Sequence, residues 1–125
     1  MADYLITYDF KVGVSSQYKE FVECAETEGL LYVFHGTEHL HRLTNTTLWG
    51  VFTSTEEAKK AFDRAKAAAE GKVGRKIVLE KRVITLLSGW SILSDTKKAP
   101  ETKWTKSTKF ETCRAHQKND PFFAY

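Results

Sequence analysis

Residues Asp3 to Phe10 place Tyr4, Ile6 and Tyr8 on one parity and Leu5 and Thr7 on the other, a nearly unbroken run of β-formers. Such a run suits a central strand covered on at least one side. From Ser16 the pattern changes period: Tyr18, Phe21, Val22 and Ala25 recur at helical spacing between charged residues, which predicts a helix over 16–28 with the serines Ser15 and Ser16 available as caps. Gly29 stops it, because glycine enters the left-handed conformation without steric cost. Leu30 to Phe34 returns to strand character, His35 to Asn45 is a polar, glycine-containing connection or ribbon, and Thr46 to Thr53 is a second strong β segment paired with the first as a hairpin. Gly50 within it marks a bulge or a close approach by another backbone.

Ser54-Thr55-Glu56-Glu57 has the form of a capping box. Its serine oxygen accepts from the third helical amide while the glutamate reaches back. Behind it, Ala58, Ala61, Phe62, Ala65 and Ala69 form one narrow stripe, so a helix should run to about Gly71 and sit close to a sheet. Lys76 to Leu87 then reads as one long strand, or two short ones broken around Glu80 to Arg82. The order β-α-β-β-α-β predicts an α+β fold of the ferredoxin-like type, an antiparallel sheet with two helices on one face, over residues 1–90. The other face needs cover, from a dimer partner or from Val83 to Leu87. Residues 91–125 read as a polar, basic C-terminal extension, partly ordered or packed on a partner, since Trp104, Phe110, Phe122, Phe123 and Tyr125 argue against pure disorder.

A composition of 42% hydrophobic, 13% aromatic and 28% charged residues is that of a globular chain. No apolar run approaches the roughly 20 residues of a membrane span, and the N-terminus has no basic region followed by an apolar one, so the cytoplasm is the expected location, with no membrane partner. Cys24 and Cys113 show no CxxC or Cys/His spacing and read as free thiols. The formal charge of +3 comes entirely from residues 91–125, because the 12 Lys/Arg of residues 1–90 are matched by 12 Asp/Glu.

Asp9 draws attention because it ends the first strand just before a helix, where a carboxylate can bind a divalent cation and the next amides a phosphate. One carboxylate is too few for a tight magnesium site, but a two-fold axis would bring two copies of Asp9 together. The alternative is that Asp9 accepts hydrogen bonds from loop amides. His35, His39 and His41 share a parity if the segment is extended, and with Glu38 they offer transition-metal ligands; a partly exposed polar ribbon is the alternative. Lys11, Arg75, Lys76, Lys81 and Arg82 are the candidate phosphate contacts. Trp49 and Phe52 could stack bases on an RNA-binding sheet or simply pack in the core. No glycine-rich phosphate loop, GxSxG or HExxH is present.

The opening Tyr4-Leu5-Ile6-Thr7-Tyr8-Asp9, followed by helix, ribbon, helix and strand, resembles the Cas2 family and its SinR-like and VapD-like relatives over residues 3 to about 88. The resemblance implies a ferredoxin-like homodimer that handles nucleic acid. In the members that are metal-dependent endonucleases, the first-strand aspartate, matching Asp9, lies at the dimer interface. It would here be the catalytic and metal residue with Mg2+. In the CRISPR-associated members the dimer is a scaffold that binds DNA. Three expectations follow: a nucleic-acid-binding homodimer with metal-dependent endonuclease activity, a non-catalytic binding or scaffold dimer, or a small-molecule-binding dimeric α+β barrel protein.

Overall fold

The computed structural model describes residues 1–125. Its elements in chain order are β1 (Ala2–Phe10), α1 (Gln17–Thr27), β2 (Val33–His35), β3 (Leu40–Arg42), β4 (Thr47–Phe52), α2 (Thr55–Val73), β5 (Leu79–Leu86), β6 (Lys97–Lys98) and α3 (Lys109–Asn119), with single 3-10 turns at Thr102–Trp104 and Pro121–Phe123. It is a mixed α+β fold with two small antiparallel sheets, β4-β1-β5 and β2-β3-β6. Leu31 bridges Trp49, which ties the chain before β2 to the free side of β4.

Alternation in β1 sorts its side chains cleanly. Tyr4, Ile6, Tyr8 and Phe10 are buried on one face, where Tyr8 and Phe10 pack against Phe21 of α1 and Phe62 of α2. The alanine stripe of α2 is fully buried, which lets that helix lie close on the sheet. Ser54 Oγ accepts from the Glu57 amide at 3.2 Å, so the serine half of the capping box forms. The helix outruns its expected end at Gly71 and stops at Gly74, whose φ of 75° supplies the left-handed cap. Helix α1 ends at the expected place, with Gly29 at φ 84°, but Ser16 makes no side-chain cap bond. Gly50 answers to a close backbone approach, because a Cβ there would collide with the Gly29 carbonyl and the Phe52 ring.

Of the two readings of Lys76 to Leu87, the single continuous strand, β5, is the one that forms. One expectation changes, because its apolar half, Val83 to Leu86, pairs with β1 of its own chain and does not cover the open face. That cover comes instead from the β2-β3 ribbon, Trp90 and α3. Trp49 is buried there against Phe34, His35 and Phe110, and Phe34 also meets Trp90. The C-terminal residues dock through specific bonds. Gln117 Oε1 accepts from the amides of Tyr32 at 2.8 Å and Val33 at 3.3 Å, and Arg114 pairs with Glu26 at 2.8 Å. His116 is buried as a two-sided clamp, Nδ1 donating to the Thr112 carbonyl and Nε2 accepting from the Glu101 amide. No helix is long and apolar enough to cross a membrane.

Candidate functional site

The end of β1 and the start of β5 gather most of the residues singled out by sequence. Asp9 is exposed and stands opposite Lys81 in the β1-β5 register. Both lie on the open face, since Tyr8 and Phe10 point to the helices. The register shifts between Asp9 and Phe10, so that the Lys11 amide donates to the Val78 carbonyl at 2.8 Å. Lys11 is exposed, and its loop is held from below: Gln17 Nε2 donates to the Lys11 carbonyl at 3.0 Å, and Tyr18 Oη donates to the Phe10 carbonyl at 3.2 Å. Arg75 and Lys76 follow the Gly74 cap and are exposed before Ile77 turns into the core. The Ile77 amide donates to Glu70 Oε2 at 2.8 Å and holds that carboxyl below the usual carboxylate range, which fixes the turn carrying the two cations.

Ion pairing separates the five basic candidates. Lys11, Arg75, Lys76 and Lys81 take part in none of the chain's salt bridges, whereas Arg82 Nη1 sits 3.0 Å from Asp63 Oδ1 and its guanidinium lies over the Phe62 ring. Strand parity explains the split, because neighbouring residues point to opposite faces. Lys81 looks out beside Asp9 and Arg82 looks back onto α2. In the tail, Lys98 pairs with Asp120 and Glu101, and Arg114 and Lys118 pair with Glu26, while Lys97, Lys103, Lys106 and Lys109 make no salt bridge.

As a magnesium site the surroundings of Asp9 do not fit within one chain. A single carboxylate beside Lys81 offers an ion one strong ligand and a repelling neighbour, and no group of three or more His, Cys, Asp or Glu side chains comes together anywhere in the chain. The histidine segment does not converge either. Its turn at Gly36 to Glu38 breaks the shared parity: His35 Nε2 meets Asp3 Oδ2 at 3.2 Å, while the His39 and His41 rings lie 6.3 Å apart beyond the turn. Burial pushes the His35 pKa down against the pull of Asp3, and burial with Lys97 nearby pushes down that of His41. Trp49 is in the core, so it offers no base-stacking platform.

A cleft of about 910 Å³, not foreseen from local patterns, lies on the open face between the sheet, the ribbon and the segment Trp90 to Thr96, lined by Leu5, Thr7, Phe34, Leu87, Trp90 and Ile92 among others. Neither Asp9 nor the four unpaired cations line it. Arg42, which touches its rim, packs on the contacting rings of Tyr32 and Tyr125 and donates to the Ala124 carbonyl at 3.0 Å. Trp90, Ile92 and Leu93 were the available signal, apolar residues at the start of an otherwise polar stretch. No protein-family model matches the sequence, and a search of curated proteins matches none.

Proposed function

We propose that the chain is a ferredoxin-like, Cas2-type unit that works as a homodimer and binds the phosphodiester backbone of nucleic acid at the β1-β5 end of its sheet. The observation that carries this reading is the set of four cations, Lys11, Arg75, Lys76 and Lys81, which make no salt bridge and are exposed at one end of the sheet. Unpaired lysine and arginine on a fixed backbone are what phosphate contacts require, and they bind without reading sequence. The ferredoxin-like assignment is supported by the strand order β4-β1-β5, the Leu31 bridge to Trp49 beyond β4, and the packing of α1 and α2 on one face. Asp9 stands amid these cations as the candidate catalytic residue, and a divalent ion enters the scheme only if two copies of Asp9 share it.

Fluorescence anisotropy of labelled single-stranded and double-stranded DNA and RNA, measured across a salt series, tests the binding. Replacing Lys11 and Lys81 together by alanine should weaken binding for all sequences and flatten the slope of log K against log salt by roughly one unit per lysine. Equal affinity and slope in wild type and variant removes this surface. Cleavage in Mg2+ by wild type and its loss in Asp9→Ala would make the protein an endonuclease; equal behaviour of the two leaves a binding or scaffold dimer.

The cleft favours a second reading, a small-molecule-binding protein of the dimeric α+β barrel kind, because its volume falls in the range of ligand pockets. A metabolite panel screened by thermal shift on wild type and Thr7→Trp, which fills the cleft, tests it: a shift seen only in wild type supports this reading.

A further inference from the structure

Strand β5 is the edge of its sheet, paired with β1 on one side and with no strand on the other. We infer that this edge pairs antiparallel with β5 of a second copy, with Val83 facing Val83 of the partner across a two-fold axis. The inference rests on the homodimer proposed above and names its surface.

Backbone alternation fixes which groups are free. Leu87 donates its amide to the Asp3 carbonyl, and Asp3, Leu5 and Thr7 stand opposite Leu87, Thr85 and Val83. In an antiparallel ladder such hydrogen-bonded pairs alternate with non-bonded ones. Arg82, Ile84 and Leu86 therefore turn their N–H and C=O groups outward. The register shift at Asp9 and Phe10 lies beyond this stretch.

A symmetric antiparallel pairing must match outward residues with outward residues, which leaves few registers. One centres on Arg82 and opposes two guanidinium groups, an unfavourable like-charge pair. Another centres on Ile84 and sets Val83 against threonine. The register centred on Val83 bonds Arg82 to Ile84 of the partner and Ile84 to Arg82, and sets Lys81 against Thr85. It opposes no like charges. It also covers Val83, which is 59% exposed. Side chains across a non-bonded pair approach most closely, so the valines bury one another. A long edge strand whose second half, Val83-Ile84-Thr85-Leu86, carries no charge or proline lacks the usual protection against pairing.

Such an axis is perpendicular to the sheet, so both open faces lie on the same side of one continuous sheet. From ideal strand spacings the two Asp9 Cα atoms then stand about 20 Å apart, too far to share an ion. The four cations of each copy instead form one extended surface, which makes this a binding dimer.

Cysteine cross-linking reads the register. Val83→Cys, oxidised with diamide at micromolar protein, should form a disulfide-linked dimer, because facing positions of a non-bonded pair meet disulfide geometry. Ile84→Cys and Thr85→Cys should not, and wild type serves as control since Cys24 and Cys113 are buried. Val83→Lys, placed at an exposed position, should keep the monomer's circular dichroism and melting temperature while raising the dimer dissociation constant at least tenfold by light scattering. Cross-linking through Ile84→Cys in place of Val83→Cys overturns the register. A wild-type dimer that neither cross-links at Val83 nor responds to Val83→Lys overturns the inference and leaves the homodimer on another surface. A wild-type chain that is monomeric at every concentration overturns both.

Discussion

The two faces of the sheet are built by different means. On the helix face, β1, α1 and α2 bring residues into register through local periodicity, and the aromatic cluster of Tyr8, Phe10, Phe21 and Phe62 is packed by segments each of which would be recognised alone. On the open face, Trp49 is covered by Phe34, His35 and Phe110, with Trp90 packed on Phe34, held by single bonds such as those accepted by Gln117. The first arrangement is deep and redundant. The second depends on a few long-range contacts, and regions of that kind open at lower free energy than the core.

The sharpest way to break this contrast is Phe62→Ala. It removes a fully buried ring at the centre of the aromatic cluster and should cost about 3–5 kcal/mol in denaturant unfolding. Both faces should then unfold together, since nothing on the open face stands without the sheet. Gln117→Ala leaves the Tyr32 and Val33 amides without their acceptor, at a cost of about 1–3 kcal/mol. Its signature is local: hydrogen exchange should quicken in α3 and the ribbon while amides of β1 keep their protection. Uniform quickening would show the two faces to be one cooperative unit. Ser54→Ala removes the cap of α2 and should lower stability by about 1 kcal/mol, spread over the helix face.

Acidification should have the smallest effect and should act on the open face. His35 and His41 have folded-state pKa values pushed below the ordinary 6.5, so the unfolded chain binds more protons than the folded one in the interval between. Stability is therefore complete above about pH 6.5 and declines as pH falls from there through the depressed folded values. The melting temperature of His35→Asn should fall less than that of wild type over this window; an equal fall would assign the pH response elsewhere.

What could be read in advance follows the same division. The capping serine, the alanine stripe and the alternation of β1 each announce an element within a short window, and the helix face was legible for that reason. Helix α3 was not. Its buried side chains include Thr112 and His116 beside Cys113 and Ala115, so polarity and periodicity disagree along it, and the backbone groups of Glu101, Lys106 and Thr112 explain why those polar residues can be inside. The cleft was illegible because Leu5, Phe34 and Trp90 meet only after folding. Of the basic candidates, Lys81 and Arg82 looked equivalent as neighbours in sequence. Their separation needed the strand's parity and the position of Asp63 on α2.

The Gln117 side chain has one more consequence. At the border of the sheet away from β5, the Tyr32 amide is taken by that glutamine and the Tyr32 carbonyl by the Leu43 amide, so at this point of the border the chain satisfies its own backbone groups. A pairing of β5 with β5 of a second copy, as inferred above, would use the one free β5 edge of each copy, so it would end at a pair and not propagate into a filament.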